Sequence, residues 1–419
     1  MLNSPLFRAE QRGNRRARRY ALGMSCLFLL STLLFIPGCD LFGGGDDRYL
    51  MGQLIWSHDL PDYLGKDYSV NTTQPLIDGE VVYAVGAGKL FSLELADGTV
   101  RWQRSLSGPH FSDNMVHDAE ALYIVHNRLV EAYNKHDGTR RWQMSDGLSV
   151  RFGGVLIQTE MHVYPSDTDG EVGRVRKRDG VVDQRITLTD LKPENDEQTS
   201  GTLMHTDDNY LYVPTSYYEP GAPDIGGNVL AYDASTGDYR WGYEVPMRRV
   251  PVPGYPGNYW MLGGGAEEGV VWGSFVIISA SSSVIALDRF SGELRWQQTF
   301  EESAGFWLGM ALVDDVVYVG ATDGIIYALD PETGEVLRES QVGGSIITLF
   351  AVDEGRIYLT TTTARIAILD AGTGQVLWES LAPDDKASGG YSEFLSPVAV
   401  GNGYMVNVGS KKIYCLAAR

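Results

Sequence analysis

A short segment built as Asp-x-x-Thr-Gly, or a close variant, with tryptophan four residues after the glycine recurs along the chain and limits its fold more than any other feature. Full copies run from Asp233 to Trp241, Asp288 to Trp296 and Asp370 to Trp378, and shorter forms end at Trp102 and Trp142. Arg338 stands where the tryptophan is due after Asp330, a degenerate copy ends at Gln184, and Leu54-Ile55-Trp56 is the tail of a unit that lacks a beginning. The anchor positions are therefore 56, 102, 142, 184, 241, 296, 338 and 378, separated by 46, 40, 42, 57, 55, 42 and 40 residues. That spacing is the period of a chain that builds one four-stranded sheet per unit.

Alternation and turn chemistry fill in the unit. Between Ala311 and Asp330, β-branched and aromatic runs are separated by Asp314-Asp315 and by Thr322-Asp323-Gly324, so each run reads as one short strand. The Asp-x-x-Thr-Gly segment is the third turn: the carboxylate accepts backbone N–H bonds and glycine takes the positive-φ position. The fourth strand is expected to end at the tryptophan. No helical periodicity of useful length follows residue 50, so residues 53–419 are predicted to be all-β. Small antiparallel sheets repeated about an axis make a propeller, and eight anchors predict eight blades. Residues 397–416 supply three strands and stop, which makes Leu54-Ile55-Trp56 the missing fourth strand that closes the ring. The repeated Trp56, Trp102, Trp142, Trp241, Trp296 and Trp378 are expected to pack between neighbouring blades.

The first 38 residues do not belong to this repeat. Six arginines between Arg8 and Arg19 precede sixteen uncharged residues, Ala21 to Ile36, a stretch short for a membrane span and right for a secretion signal. The following Ile36-Pro37-Gly38-Cys39 resembles a bacterial lipobox, which implies cleavage before Cys39, acylation of its sulfur and a glycine-containing tether over residues 39–52. Asp40 resembles a retention signal in some bacteria and leaves inner and outer membrane both open. The mature chain would hold 28 basic and 53 acidic residues over 381 positions. So acidic a surface argues against nucleic-acid binding, which depends on basic neutralisation of phosphates, and against attraction to anionic lipid. With Cys26 removed and Cys39 acylated, Cys415 has no partner, so stability must come from packing without disulfides.

The Asp-x-x-Thr-Gly-x-x-x-Trp repeat resembles the tryptophan-docking repeat of the pyrroloquinoline-quinone-like propellers over nearly all of the mature chain. The lipobox, the eight units and the length look most like the BamB-type lipoproteins of that family. This resemblance implies a non-catalytic, lipid-anchored periplasmic scaffold in outer-membrane β-barrel assembly, with a BamA-like protein as partner and no cofactor. Two other readings remain: an envelope propeller that binds a glycan or peptide, and a quinone-dependent dehydrogenase. The family's dehydrogenases hold a calcium-bound quinone, often beside two adjacent cysteines, and no Cys-Cys pair occurs here. The aspartates at 233, 288, 330 and 370 occupy the same turn of four different units, so they read as turn caps rather than as ligands converging on calcium. The seven histidines show no metal-ligand spacing, and nucleophile-elbow and phosphate-loop motifs are absent from the sequence. No catalytic, cofactor or metal residue is therefore expected.

Loop length indicates where a partner would dock. In a four-stranded blade the turns between strands two and three share one face with the inter-blade links. The long segments 164–172, 187–204, 215–228 and 243–269 all fall at such positions. The last is the richest: Met247, Arg248 and Arg249 put basic charge on an acidic molecule, and Tyr255, Tyr259 and Trp260 are residue types enriched at binding hot spots. In the resembling family an arginine-containing inter-blade link and acidic residues on the next one contact the partner. By that resemblance Met247-Arg248-Arg249 and Glu301-Glu302 are the corresponding candidates.

Overall fold

The computed structural model describes residues 49–61, 73–106, 114–126, 128–145, 156–165, 170–188, 197–200, 204–207, 209–218, 225–248, 250–251, 259–260, 266–280, 282–300, 306–346, 348–383, 396–409 and 411–419. Every regular element among them is a β-strand. They form eight antiparallel sheets, the blades of an eight-bladed propeller, and one added two-stranded ribbon.

The first blade shows the pattern. Leu76–Asp78, Val81–Gly86, Lys89–Glu94 and Val100–Ser105 pair in chain order. Its second and third strands are buried almost throughout, whereas the fourth alternates buried and exposed. The cause is layering: middle strands are covered on both faces by adjacent blades and so are apolar without interruption, while the outermost strand has one side in water. Blades two to seven end in Arg140–Gln143, Val182–Thr187, Tyr239–Arg248, Leu294–Thr299, Val336–Gln341 and Val376–Leu381. Eight separate apolar clusters make up the core, each drawn from two neighbouring blades; Tyr83, Val85 and Leu90 meet Leu122, Ile124 and Tyr133 at the seam between blades one and two. The core is thus distributed around the ring rather than gathered at one centre.

Closure follows the expected route. Leu54–Asp59 pairs antiparallel with Lys412–Ala417, placing Trp56 opposite Cys415 and His58 opposite Ile413. The two chain ends also rebuild the missing turn of blade eight without a covalent link. Within blade seven, Gly374 N–H donates to Asp370 O and Asp370 N–H to Gln375 O; across the closure, Gly52 N–H donates to Ala417 O and Ala417 N–H to Gln53 O, with the same spacing. Ala417 and Gly52 therefore occupy the places that Asp370 and Gly374 hold in blade seven.

Two expectations need correction. The fourth strand does not end at its tryptophan: Trp102 is the third of six residues in Val100–Ser105, and Trp378 the third of six in Val376–Leu381. Backbone pairing to the third strand continues because its hydrogen bonds do not depend on the docked side chain. Blade four departs further, for the segments around 215–228 and 243–248 are largely strand. Tyr210–Tyr218 and Ile225–Asp233 pair over nine positions, Tyr239–Arg248 adds a third long strand, and Glu197–Ser200 pairs with Thr215 to Tyr218 beyond Met204–Asp207. A sheet extension thus projects from the face where flexible loops are expected.

Candidate functional site

Two arrangements bear on function: the joints that make the ring rigid and the face that the ring presents. At six of the eight joints an indole lies over the turn glycine of the next blade. Trp56 covers Gly98, Trp102 Gly138, Trp142 Gly180, Trp241 Gly292, Trp296 Gly334 and Trp378 Gly52. Five of these indoles donate their N–H to the second residue of that turn: Trp56 to Leu95 O at 2.7 Å, Trp102 to Lys135 O at 2.9 Å, Trp142 to Lys177 O at 2.7 Å, Trp241 to Arg289 O at 3.0 Å and Trp296 to Pro331 O at 3.0 Å. Each of these five joints satisfies a backbone carbonyl and covers apolar surface at once.

The turn itself is held by its aspartate. Asp233 Oδ1 accepts from Ser235 N at 3.0 Å and Thr236 N at 2.9 Å, and Asp370 Oδ1 from Thr373 N at 2.7 Å, the capping role expected from the repeat. The Arg295 guanidinium, then the turn's own N–H groups, hold the Asp288 carboxyl down to about 2 against a raising effect of burial. Ser235 and Arg240 do the same for Asp233, which lies further below the carboxylate range.

Where tryptophan is absent, polar side chains take over. Arg338 Nη2 donates to Ala371 O at 3.0 Å, the same turn position that receives an indole elsewhere, and Ser340 Oγ reaches Gly374 O at 2.6 Å. Gln184 Nε2 donates to Thr236 O. A second set of residues, not anticipated from the repeat, acts at the same carbonyls. Tyr83 OH and Trp102 both donate to Lys135 O, Tyr212 OH and Trp241 both to Arg289 O, and Tyr318 OH and Arg338 both to Ala371 O. The signal was present, since tyrosine follows an aliphatic residue in the second strand at Tyr83, Tyr123, Tyr164, Tyr212, Tyr318 and Tyr358. Its partner lies 50 or more residues away in sequence in these pairs, so no local pattern exposes the bond.

This geometry makes the glycines testable. Gly292 has φ +75° and a Cβ built there would sit 2.6 Å from Trp241 Cε3, whereas Gly79, at φ +57°, faces open space. Gly79→Ala should cost about 1–2 kcal/mol for the left-handed backbone alone. Gly292→Ala should cost about 1–3 kcal/mol more, because the indole must also be displaced. Denaturant midpoints of the two variants check the difference.

On the extended face, Met247 and Arg248 end the outer strand Tyr239–Arg248 of blade four, with Arg248 paired opposite Ile225. Tyr259–Trp260 pairs with Val250–Pro251, Trp260 opposite Val250. Met247 and Arg248 thus lie in the blade-four sheet, whereas Tyr259 and Trp260 lie in the separate two-stranded ribbon. Arg249, Tyr255, Glu301 and Glu302 lie outside the described residues, as does Cys39.

A buried polar group in blade two was not foreseen. Glu131, only 4% exposed at its side chain, receives Tyr133 OH at 2.7 Å and Arg140 Nη1 at 2.9 Å, and lies 2.9 Å from His126 Nδ1. Burial pushes its carboxyl up, but the bonds from His126, Tyr133 and Arg140 outweigh it and hold the group below its usual value. The four partners are tied into one network. Among the described residues no three His, Cys, Asp or Glu side chains gather as metal ligands, and no helix is long and apolar enough to cross a membrane.

Eight blades, six of whose joints are locked by an indole over a glycine, closed by the two chain ends, define a tryptophan-docked β-propeller of the quinoprotein-like type. The chain belongs to the family described as outer membrane protein assembly factor BamB, whose family model matches residues 49–200 and 280–419. The unmatched middle contains the protruding extension of blade four. Among curated proteins, the chain is 24% identical to outer membrane protein assembly factor BamB of Yersinia pestis, over 83% of this chain and 78% of that protein. It is 22% identical to the same factor of Moranella endobia, over 75% and 77% respectively. The crystal structure of BamB from Moraxella catarrhalis superposes with a TM-score of 0.61 at 14% identity, covering 88% of this chain and all of that one, a likeness of fold.

Proposed function

We propose that the chain is a non-catalytic periplasmic scaffold in outer-membrane β-barrel protein assembly, anchored in the outer membrane by lipid on Cys39 after removal of residues 1–38. The observation that carries this reading is family membership over most of the propeller together with relatives that bear the name of an assembly factor. The lipobox and the net-acidic mature chain support lipid rather than electrostatic attachment. The partner is a periplasmic protein domain, such as that of a BamA-like component, and it docks on the blade-four extension around Met247, Arg248, Arg249, Tyr255, Tyr259 and Trp260, with Glu301 and Glu302 on the following link. Three paired long strands support a surface organised before binding, which lowers the ordering cost of association.

Affinity capture of the lipoprotein from detergent-solubilised envelope tests this function. Co-recovery of the barrel-assembly machinery is the expected result; its absence, with a bound sugar or peptide recovered instead, rejects the reading. The double substitution Arg248→Glu with Arg249→Glu is expected to reduce that recovery while leaving the melting temperature nearly unchanged. A large fall in melting temperature would show that the two side chains serve the fold.

A further inference from the structure

The outer strand of every blade has one edge that no further strand pairs with among the described residues. Such an edge invites another chain unless charge guards it. The residue just before the docking position is charged and ion-paired in blades one to five. Arg101 meets Glu94 at 2.7 Å, Arg141 meets Glu120 at 3.1 Å, Asp183 meets Arg174 at 2.8 Å, and Arg240 and Arg295 clamp Asp233 and Asp288 at 2.5 and 2.7 Å. In blades one, four and five the acid is the first residue of the blade's own turn. Blades six and seven keep that acid as Asp330 and Asp370, yet Leu337 and Leu377 stand where the arginine is due. Three residues after the docking position, seven blades carry Asp, Glu, Ser, Thr or Gln, and blade seven carries Leu381. Leu377 is 37% and Leu381 43% exposed, so blade seven breaks both of the rules that the other blades keep. An exposed leucine in place of an ion-paired arginine returns no packing to the blade, and the fold gives no reason for it.

The same residues direct their main chain outward. Ala382 N–H donates to Ala364 O at the end of the ladder that joins Val376–Leu381 to Arg365–Asp370. Bonded and non-bonded pairs alternate in an antiparallel ladder, so Trp378 and Ser380 turn their main-chain groups to the third strand, and Leu377, Glu379 and Leu381 turn theirs to the free edge. Of these groups Leu381 O already receives Ser380 Oγ at 3.1 Å. The two leucine side chains share one face of the strand with Glu379 between them. Glu379 Oε1 accepts Gly343 N–H at 2.8 Å and lies 3.4 Å from Arg365 Nη1. A row of main-chain donors and acceptors at strand spacing is complemented by another extended strand. The central acid, on a chain of net charge -20, favours a basic residue in that strand. It disfavours a second copy of this chain, because two-fold pairing about Glu379 would set like charges opposite each other.

We propose that the outer edge of blade seven, Val376–Leu381, is a strand-addition site for an extended segment of another polypeptide in which two apolar side chains flank a basic one at alternate positions. The segment forms a fifth strand of blade seven, with its apolar residues against Leu377 and Leu381 and its basic residue beside Glu379. Main-chain bonds supply attraction whatever the sequence, and the two leucines and the acid select among segments. This edge belongs to a different blade from the docking surface proposed on blade four, and it does not depend on that function.

A fluorescein-labelled heptapeptide in which leucine, lysine and leucine alternate with threonine tests the site, titrated into the full-length protein in detergent and read by fluorescence anisotropy. One peptide is expected to bind per chain. A fully N-methylated peptide, which keeps the side chains but has no N–H to give, is expected not to bind, and exchanging the lysine for glutamate is expected to weaken binding. Leu377→Arg with Leu381→Thr copies the pattern of Arg295 and Thr299 in blade five, so it is expected to keep the melting temperature and to weaken binding by about ten-fold or more. Leu381→Lys alone places a guarding charge on the edge and gives a second variant. Leu337→Arg, the same exchange on blade six, is expected to leave binding as it was. No binding to the unsubstituted protein, equal binding of the N-methylated peptide, or unchanged binding to the double variant overturns the proposal. A dimer in sedimentation that the double substitution dissolves would assign the edge to a second copy and overturn it as well. Recovery of the assembly machinery in the capture experiment reports separately on the function.

Discussion

Trp56→Ala is expected to lower the stability of the propeller by about 3–5 kcal/mol, the range for truncating a large buried aromatic residue. Trp56 is 8% exposed, its N–H donates to Leu95 O at 2.7 Å, and its ring covers Gly98. Its position makes the loss larger than at an ordinary joint, because Leu54–Asp59 is joined to blade eight by pairing alone and has no hairpin to the third strand. Removing the indole leaves the closing strand held by its ladder to Lys412–Ala417, so residues 54–59 should also become accessible to limited proteolysis. Denaturant unfolding of Trp56→Ala beside Trp142→Ala, whose indole is only partly buried, checks both points. A shift below about 1 kcal/mol, or equal proteolysis of the two variants, would mean that closure does not depend on this docking.

The second large effect concerns the buried carboxylate of blade two. Glu131→Ala removes the acceptor for Tyr133 and the neighbour of His126 in a buried setting, and leaving such buried polar groups without their partner costs about 1–3 kcal/mol, Arg140 being half exposed and able to return to water. The pH dependence carries a definite sign. The folded carboxyl lies below its unfolded value, so its contribution is complete above the unfolded carboxylate range and is lost as pH falls through the lower folded value. The turn aspartates Asp233 and Asp288 act in the same direction. The acid limb of wild-type stability should therefore extend well below pH 4, near the ordinary carboxylate value, and Glu131→Gln should flatten it. Unfolding midpoints measured across the acidic range would reject this if Glu131→Gln and wild type fell in parallel.

Rigid joints hold the ring together where the described residues contain no disulfide, Cys415 being a free and buried thiol. Apart from Trp378 over Gly52, which ties the end of blade seven to the entering chain, each indole joint links a strand to a turn 33 to 48 residues further along, so a rotation of one blade is resisted by its neighbours in turn. Arg338 fits the same scheme because its guanidinium supplies the donor that the turn carbonyl of Ala371 needs, whereas Gln184 ties the joint at Thr236 O, two residues beyond the equivalent carbonyl of Ala234. Tyr164 and Tyr318 reach Ala234 O and Ala371 O at those seams, as Tyr83 and Tyr212 do at seams that also carry an indole.

Turn chemistry and the spacing of tryptophans were sufficient, in the sequence alone, for the number of blades, the order of strands within them, the capping role of Asp233, Asp288 and Asp370, and the closure of the ring through Trp56. These are short-range properties: an aspartate two residues from an N–H, a glycine at positive φ, apolar residues at a period of two. The tertiary structure decided what short-range signals do not carry. It placed Tyr83 and Tyr212 on carbonyls that belong to the next blade, set Glu131 among His126, Tyr133 and Arg140, and drew Tyr210–Tyr218, Ile225–Asp233 and Tyr239–Arg248 into long strands where polar, glycine- and proline-bearing sequence reads as loop. The tyrosines meet carbonyls of the next blade, which depends on how two sheets are set face to face when the ring closes; the Glu131 cluster and the blade-four strands are settled within one sheet, by the register that strand pairing imposes.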